Sequence, residues 1–178
     1  DAEVSSKSIG YVEVSANGSQ IADKAEIDAL SRTFKRETDE VGICPVGTVK
    51  SNIGHPEAAS GICQLIKVIL QLKHKKIAPS IKVDSINPKL RLAKSPFYLT
   101  NKLQNWPELA TGNGGASRRA LITSIGAGGS NACVLCEEYK SDCLARLDST
   151  NELGSVWVLS AQSAQALHTM AANLHDYL

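Results

Sequence analysis

Several stretches of the chain alternate apolar and polar positions with the two-residue period that indicates β-strands. Residues 9–15, "IGYVEVS", predict one strand, and residues 44–54, "CPVGTVKSNIG", predict a strand that runs into a loop. Residues 119–139, "RALITSIGAGGSNACVLCEEY", predict two strands joined by a turn of small residues, which is the pattern of a β-hairpin. Residues 77–83 are predicted to be extended, and residues 85–100 to form a loop that leads to a short strand. Residues 101–119 are predicted to be rich in turns.

Two longer stretches carry apolar residues at helical spacing. Residues 23–37 predict a helix in which Asp23 caps the N-terminus and Glu26 completes a capping box. Residues 56–76 predict a second helix, because Pro56 suits a first helical position and basic residues cluster at the other end. Its apolar stripe consists of Ala58, Ile62, Leu65, Ile66, Ile69 and Leu72.

Residues 140–178 have a different character from the rest of the chain. Residues 140–154 are polar and are expected to form a linker. Residues 155–161 then predict a strand, and residues 163–178 predict an amphipathic helix. A single strand and helix cannot enclose a core of their own, so this tail is expected to pack on the main domain or on a neighbouring segment.

Composition excludes several classes of function. Lys plus Arg number 19 and Asp plus Glu number 18, so the formal net charge is only +1 and does not favour nucleic acid or anionic lipid. No apolar run is long enough to span a bilayer. The first ten residues lack the features of a signal peptide, and we expect them to be a processed end or a fragment boundary.

The five cysteines favour a reducing, cytoplasmic environment, because their number is odd and their spacing is irregular. Cys133 and Cys136 have the C-x-x-C spacing of some zinc and redox sites. No second pair follows at ligand spacing, and both residues fall in a strand-like run, so structural thiols are the favoured interpretation. We expect no metal site. The remaining cysteines are Cys44, Cys63 and Cys143.

Three turns between the predicted elements could contribute to a catalytic or binding site. Residues 15–19 contain no strong acid, base or nucleophile. Residues 50–61, "KSNIGHPEAASG", place Lys50, Asn52 and His55 before the long helix, whose N-terminal dipole favours a neutral imidazole. Residues 124–132, "SIGAGGSNA", are rich in glycine, which allows a ligand to approach the backbone and N–H groups to face an oxyanion.

Taken together, the motifs resemble the C-terminal half of a ketosynthase, the β-ketoacyl synthase domain of modular polyketide synthases and fatty acid synthases. They are "YVE" before a polar turn and "D..EI.AL", then "VGTVKSNIGHPEAASGI", then "RRALITSIGAGGSNA.V..EEY". The resemblance covers residues 8–139. It implies an α/β, thiolase-like fold, of which residues 1–139 form the C-terminal half. The tail resembles the start of the α/β subdomain that flanks polyketide ketosynthases, most closely those whose acyltransferases act in trans.

The resemblance also implies site residues. The family uses a cysteine in its N-terminal half, which is not in this chain, and two histidines. His55 matches the histidine of the "N-I-G-H" motif and Lys50 the preceding lysine, whereas Ser15 stands where the family has its other histidine. A serine hydroxyl is shorter than imidazole and is not a base near neutral pH. The implied substrate pocket and oxyanion loop contain Asn52, Ile125 (phenylalanine in the family), Gly126, Gly128, Gly129 and Asn131; Cys133 replaces a family histidine.

Three hypotheses follow from these residues. The leading one is a condensation-inactive ketosynthase that, with its N-terminal half, relays an acyl chain between acyl carrier proteins without elongation. The second is a non-catalytic assembly half of a split synthase, and the third is an active condensing enzyme with altered chemistry. The expected partners are the N-terminal half, a second protomer of a dimer, and carrier proteins bearing acyl-phosphopantetheine. No directly bound cofactor is expected, and the expected setting is a bacterial, cytoplasmic synthase.

Overall fold

The computed structural model describes residues 3–83, 85–112, 114–140 and 158–177. The chain divides into two units, residues 1–139 and 140–178, and each is described by itself. The helices of the first unit are α1 (Ala22–Phe34), α2 (Lys50–Ile53) and α3 (Ser60–His74). Its strands are β1 (Tyr11–Glu13), β2 (Cys44–Gly47), β3 (Lys76–Ile77), β4 (Phe97–Leu99), β5 (Gln104–Asn105), β6 (Leu109–Ala110), β7 (Ala116–Ser117), β8 (Arg119–Ile125) and β9 (Asn131–Glu137).

A mixed five-stranded sheet organises the first unit, in the order β4-β2-β1-β8-β9. Strand β1 pairs in parallel with both β2 and β8, and β2 pairs in parallel with β4. Parallel neighbours end at the same edge of a sheet. The segments that follow β1, β2 and β8 therefore emerge side by side, and these segments are the three turns singled out in the sequence.

Each face of the sheet carries a separate apolar core. On the α1 face, Phe34 and Phe97 meet edge to face with ring centroids 4.8 Å apart. On the α3 face, Tyr11 meets Trp106 in the same way at 5.8 Å. Strand β1 is buried on both faces, which explains why its three residues are the most enclosed segment of the sheet. Its end is consequently held rigidly from both sides.

The predicted hairpin at 119–139 is confirmed. Strands β8 and β9 pair antiparallel from Arg119 opposite Glu137 to Ile125 opposite Asn131. The predicted strand at 44–54 is shorter than expected, because β2 ends at Gly47 and residues 50–53 form the short helix α2. Lys50 therefore lies on a helix and not on an irregular loop.

The predicted capping box of the first helix is wrong. Helix α1 begins at Ala22 after Ile21, which makes no side-chain capping bond. Both carboxylates point instead at the turn that follows β1. Asp23 accepts hydrogen bonds from the backbone N–H groups of Asn17 and Gly18, and Glu26 accepts one from the N–H of Ser15. The turn is stabilised by the helix, and the helix is not capped by these side chains.

The apolar stripe predicted for the long helix faces the sheet in part and is exposed in part. Helix α3 begins at Ser60, after a 3₁₀ turn at Glu57–Ala59. It buries Ser60, Gln64, Val68 and Gln71 against its own sheet. Ile62, Ile66 and Ile69, which the spacing placed on one stripe, are 55%, 50% and 51% exposed. The sheet-facing side of α3 thus combines polar residues with Val68, Leu65 and Leu72, which contribute to the apolar core, and a second apolar side faces outward.

The described part of the second unit contains the helix α4 (Ala164–Tyr177), which agrees with the helix predicted at 163–178. Of the strand predicted at 155–161, residues 158–161 are not in a strand, and residues 155–157 lie outside the described part of the chain. Residues 141–154 of the predicted linker also lie outside it. Leu167 and Met170 are 38% and 42% exposed.

Candidate functional site

Ser15, Lys50 and Ile125 meet at the edge of the sheet where β1, β2 and β8 end. Ser15 is the second residue after β1 and is half-buried. Its Oγ accepts a hydrogen bond from the backbone N–H of Ile125 at 3.2 Å and one from Lys50 Nζ at 3.4 Å. Lys50 Nζ also donates to the backbone oxygen of Ser15. One serine therefore joins the ends of two strands to α2.

Glu26 supports this junction from below. Its Oε1 accepts the backbone N–H of Ser15 at 2.8 Å and the hydroxyl of Thr123 at 2.5 Å. Burial raises the pKa of Glu26, and the bonds from Thr123 and Ser15 oppose that rise only in part. The same carboxylate thus connects the turn after β1 to β8, two residues before Ile125.

A second buried carboxylate fixes the position of α2. Glu13 is fully buried at the end of β1, and its Oε1 accepts the backbone N–H of Val49 at 2.5 Å. Its Oε2 accepts from Tyr11 Oη at 2.6 Å and from Lys67 Nζ at 2.7 Å. Burial raises the pKa of Glu13, and the charge of Lys67 opposes this. The residue just before Lys50 is therefore anchored to β1 through Glu13.

Gln64 braces the same strand ends. It is fully buried, and its Nε2 donates to the backbone oxygens of Val14 at 3.0 Å and Thr123 at 2.9 Å. Its Oε1 is buried without a hydrogen-bond partner among the described residues. The motifs did not indicate Glu13 or Gln64 as supports. The only available signals were a glutamate inside a buried strand and a glutamine within the long helix.

His55 lies apart from the Ser15 junction, the point at which Ser15, Lys50 and Ile125 meet. It is exposed at the turn before α3, and its Nδ1 accepts the backbone N–H of Glu57 at 3.0 Å. The hydroxyl of Ser60 lies 3.4 Å from the same nitrogen. A neutral imidazole that accepts at Nδ1 carries its proton at Nε2. Among the described residues His55 makes no hydrogen bond to Lys50 or Ser15, yet His55 and Lys50 both line one cavity of about 790 Å³.

The glycine-rich turn uses its own backbone groups to hold its shape. The N–H of Gly126 donates to Ser130 at 3.0 Å, and the N–H of Gly129 donates to Gly126 at 2.9 Å. Gly129 has a φ of 88°, and a Cβ on Gly126 would lie 2.8 Å from the backbone oxygen of Ser130. Both glycines are thus required by the geometry of the turn. Gly128 is exposed beside them, and Asn131 begins β9.

The remaining predicted pocket residues flank the junction. Asn52 Nδ2 donates to the backbone oxygen of Pro79 at 3.3 Å, and its Oδ1 accepts from Ser51 Oγ at 3.1 Å. Asn52 therefore ties α2 to the segment beyond β3. The side chain of Ile125 is 49% exposed, next to the hydroxyl of Ser15 that its own N–H contacts.

The described cysteines are free thiols. Cys44 is buried, and burial raises the pKa of its thiol. Cys133 is exposed and Cys136 is half-buried on β9, and burial also raises the pKa of both. Within the described ranges, no group of three or more potential metal-binding side chains is found. Cys143 lies outside the described residues. Across the same described ranges, no helix has the length and apolar character needed to cross a membrane.

The first part of the chain matches a known family. Residues 1–84 match the beta-ketoacyl synthase C-terminal domain. The polyketide synthase PksL of Bacillus subtilis is 37% identical over 179 residues, covering 97% of this chain and 4% of that protein. The polyketide synthase ThaG of Burkholderia thailandensis is also 37% identical, covering 99% of this chain and 3% of that protein. The chain thus spans only a few per cent of these curated relatives.

Solved structures give the same result. The ketosynthase from module 6 of the bacillaene synthase of Bacillus subtilis aligns with a TM-score of 0.70 and 34% identity, covering 96% of this chain and 28% of that one. Ketosynthase twelve from the bacillaene synthase of Bacillus amyloliquefaciens aligns at 0.71 and 37% identity, covering 77% and 24%. The expected thiolase-like fold, a mixed sheet with covering helices, is confirmed.

Proposed function

Because this chain carries the C-terminal domain of a polyketide synthase ketosynthase, we propose that it is half of a ketosynthase that no longer condenses. Joined to its N-terminal half, it would accept an acyl chain and pass it between acyl carrier proteins without elongation. The observation that supports this proposal is the Ser15 junction, where a serine hydroxyl contacts Lys50 and Ile125. The resemblance implies that the family has a histidine at this position.

Decarboxylative condensation needs an acid or base at that position, and serine is neither near neutral pH. A positioned general acid or base contributes about 10²–10⁴ in rate. Among the described residues, the ionisable side chains that contact the turn at 15–19 are those of Asp23, Glu26 and Lys50. Each of them is already hydrogen-bonded to backbone or hydroxyl groups. None of these side chains provides an acid or base that extends from position 15 as an imidazole would.

Thioester exchange has smaller requirements than decarboxylative condensation. It needs the cysteine of the N-terminal half, donors to the thioester oxygen, and a group that can exchange a proton with a thiol. His55 can serve as one of these donors through Nε2–H, since its Nδ1 accepts the N–H of Glu57. The substrate would be an acyl chain on the phosphopantetheine of a carrier protein, and no directly bound cofactor is proposed.

The outward face of α3 supports an N-terminal partner half. Ile62, Ile66, Ile69 and Leu70 are each about half exposed, which is unusual for four apolar residues on one helix. A groove of about 620 Å³ beside them is lined mainly by apolar groups, including Ile53 and Leu103. We propose that the N-terminal half covers this face, that the complete domain is a dimer, and that the synthase is cytoplasmic and of the trans-acyltransferase class.

The same face favours a second candidate function, which is an assembly half that joins two synthase polypeptides without catalysis. The two candidates differ in one measurable event, the acylation of the cysteine in the N-terminal half. Relay requires that acyl-enzyme, whereas assembly does not.

The test is to reconstitute the complete domain with acyl and malonyl carrier proteins and to follow all species by intact-protein mass spectrometry. Relay predicts an acylated cysteine and movement of the acyl group to a second carrier, with no extended product and no accelerated loss of malonyl CO₂. A chain-extended product would refute the relay proposal. Tight association of the halves without any acylation would favour the assembly candidate.

A further inference from the structure

The hydroxyl of Ser15 has an unusual balance of hydrogen bonds. A serine hydroxyl offers two lone pairs and one proton. Both acceptor positions face donors, the N–H of Ile125 at 3.2 Å and the ammonium of Lys50 at 3.4 Å. No acceptor for its proton is found among the described residues of the chain. The hydroxyl of Ser15 therefore accepts two hydrogen bonds, and its own proton has no acceptor among the described residues.

The surroundings of Ser15 do not favour a nucleophilic serine. A nucleophilic hydroxyl must give its proton to a neighbouring base. Lys50 is the amine next to Ser15, and its other contact is the backbone oxygen of Ser15, which can only accept. Glu26 is bound to the N–H of Ser15 and the hydroxyl of Thr123 and makes no contact with Ser15 Oγ. Both neighbours thus have other partners, which favours a Ser15 hydroxyl that keeps its proton.

A hydroxyl held in this way is a preorganised donor. The nearby ammonium and amide N–H draw electron density from its oxygen, which strengthens the O–H group as a donor. Its position is fixed by β1, β8 and α2 at once, so little reorganisation is needed when negative charge develops nearby. Oxyanion donors in acyl-transfer enzymes have these two properties.

We propose that the Ser15 hydroxyl donates a hydrogen bond to the carbonyl oxygen of the acyl thioester while the chain is transferred. This inference rests on the proposed relay function and assigns Ser15 a direct role in it. Ser15 would thus be a catalytic residue that replaces a base with a donor, and not only a position where chemistry has been lost.

The step balances without a further reagent. The cysteine sulfur of the N-terminal half forms a bond to the thioester carbon, and the carbonyl π electrons move to the oxygen. Ser15 donates to that oxyanion and keeps its own proton. When the intermediate collapses, the bond from carbon to the carrier sulfur breaks, and the released thiolate takes the proton that the cysteine lost. The products are an acylated cysteine and a free phosphopantetheine thiol.

The experiment compares Ser15→Ala and Ser15→Thr in the complete ketosynthase domain, with two reactions of the same cysteine. Acylation by an acyl carrier protein passes through an oxyanion, whereas alkylation by iodoacetamide displaces iodide and does not. Ser15→Ala is expected to slow acylation about 10²–10³-fold while leaving alkylation unchanged, because an oxyanion donor is lost. Ser15→Thr keeps the hydroxyl and is expected to retain most of the acylation rate. Thr33→Ala on α1, which removes an exposed hydroxyl bonded to Ala29, serves as the control.

Each outcome separates this inference from the relay function. An equal loss of acylation and alkylation in Ser15→Ala would mean that Ser15 only holds the fold, and the donor role would be refuted. Unchanged acylation in Ser15→Ala would also refute it, while transfer by the wild-type domain would leave the relay proposal intact. Chain extension by the wild-type domain would refute the relay function itself.

Discussion

Glu26 lies directly beneath Ser15, with its Oε1 2.8 Å from the backbone nitrogen of that residue. The two residues are eleven positions apart on different elements, and the same oxygen also receives the hydroxyl of Thr123 on β8. The buried carboxylate of Glu26 thus fixes the position of the turn relative to the edge of the sheet. Its ionisation is coupled to the stability of the site.

The first prediction concerns that coupling. Burial raises the pKa of Glu26, so the folded protein binds its proton more tightly than the unfolded chain does. Stability should therefore fall as pH rises from the unfolded value of about 4.3 through the raised pKa. Glu26→Gln keeps an acceptor oxygen and removes the titration, so the difference in unfolding free energy between variant and wild type should grow over this range. Urea unfolding between pH 4 and pH 7 measures it.

The exposed variant Glu40→Gln is the control for this titration, since Glu40 lies on the surface. It should change stability little at every pH. A Glu26→Gln difference that stays constant with pH would contradict the coupling.

The second prediction concerns the buried pair of Glu13 and Lys67. Their side chains are 0% and 9% exposed and lie 2.7 Å apart. Lys67→Met would leave the Glu13 carboxylate without its cation and should destabilise the domain by about 3–5 kcal/mol. The double variant Glu13→Gln/Lys67→Met should recover part of that loss. Chemical denaturation of the four members of this cycle gives the coupling, and fully additive losses would show that the pair does not interact.

The third prediction concerns Gln64. Gln64→Leu removes the donor that serves the backbone oxygens of Val14 and Thr123, so two buried acceptors lose a partner. We expect a loss of about 1–3 kcal/mol and faster hydrogen exchange at the N–H of Ile125, whose acceptor sits on the same strand ends. Gln20→Leu, at an exposed position, is the matched control. Unchanged exchange at Ile125 would show that Gln64 does not brace the junction.

The fourth prediction tests whether the missing imidazole prevents condensation. Ser15→His should restore an acid/base group at the junction and raise the rate of malonyl decarboxylation, by up to about 10²-fold. Release of labelled CO₂ from malonyl carrier protein measures this rate in the complete domain. If the rate does not rise while acyl transfer continues, the residue at position 15 does not account for the loss of condensation that we propose.

The fifth prediction concerns the outward face of α3. Ile66→Asp would place a charge at a residue that is 50% exposed here and that we propose the N-terminal half covers. Co-purification of the two halves should be lost, because an unpaired charge is costly to bury. Ile21→Asp changes an isoleucine that is 82% exposed beside α1, on the other face of the sheet, and should leave association intact. Equal association of both variants would refute this interface.

Local patterns were sufficient for the elements whose contacts are local. The hairpin of β8 and β9 was predicted from alternating residues around a glycine turn, and its register follows that pattern. The roles of Asp23 and Glu26 were mispredicted because their spacing fits a helix cap, while their actual partners lie in the turn before the helix and on β8. Periodicity cannot distinguish these alternatives.

The supports of the site depended on tertiary contacts. Glu13 reaches Val49, and Gln64 reaches Val14, across separations of 36 and 50 residues. Neither contact leaves a periodic trace in the sequence. The apolar stripe of α3 was also incomplete as a guide, because helical spacing identifies a face and does not reveal whether that face meets the protein's own sheet or another partner.

The contacts of Ser15 all come from within this chain: Glu26 from α1, Lys50 from α2 and Ile125 from β8. The hydrogen bonds that position Ser15 are therefore made by α1, α2 and β8 of this chain, whereas we propose that the nucleophile comes from the N-terminal half. If halves of different ketosynthases were exchanged by recombination, the loss of elongation that we propose would be inherited with the C-terminal half.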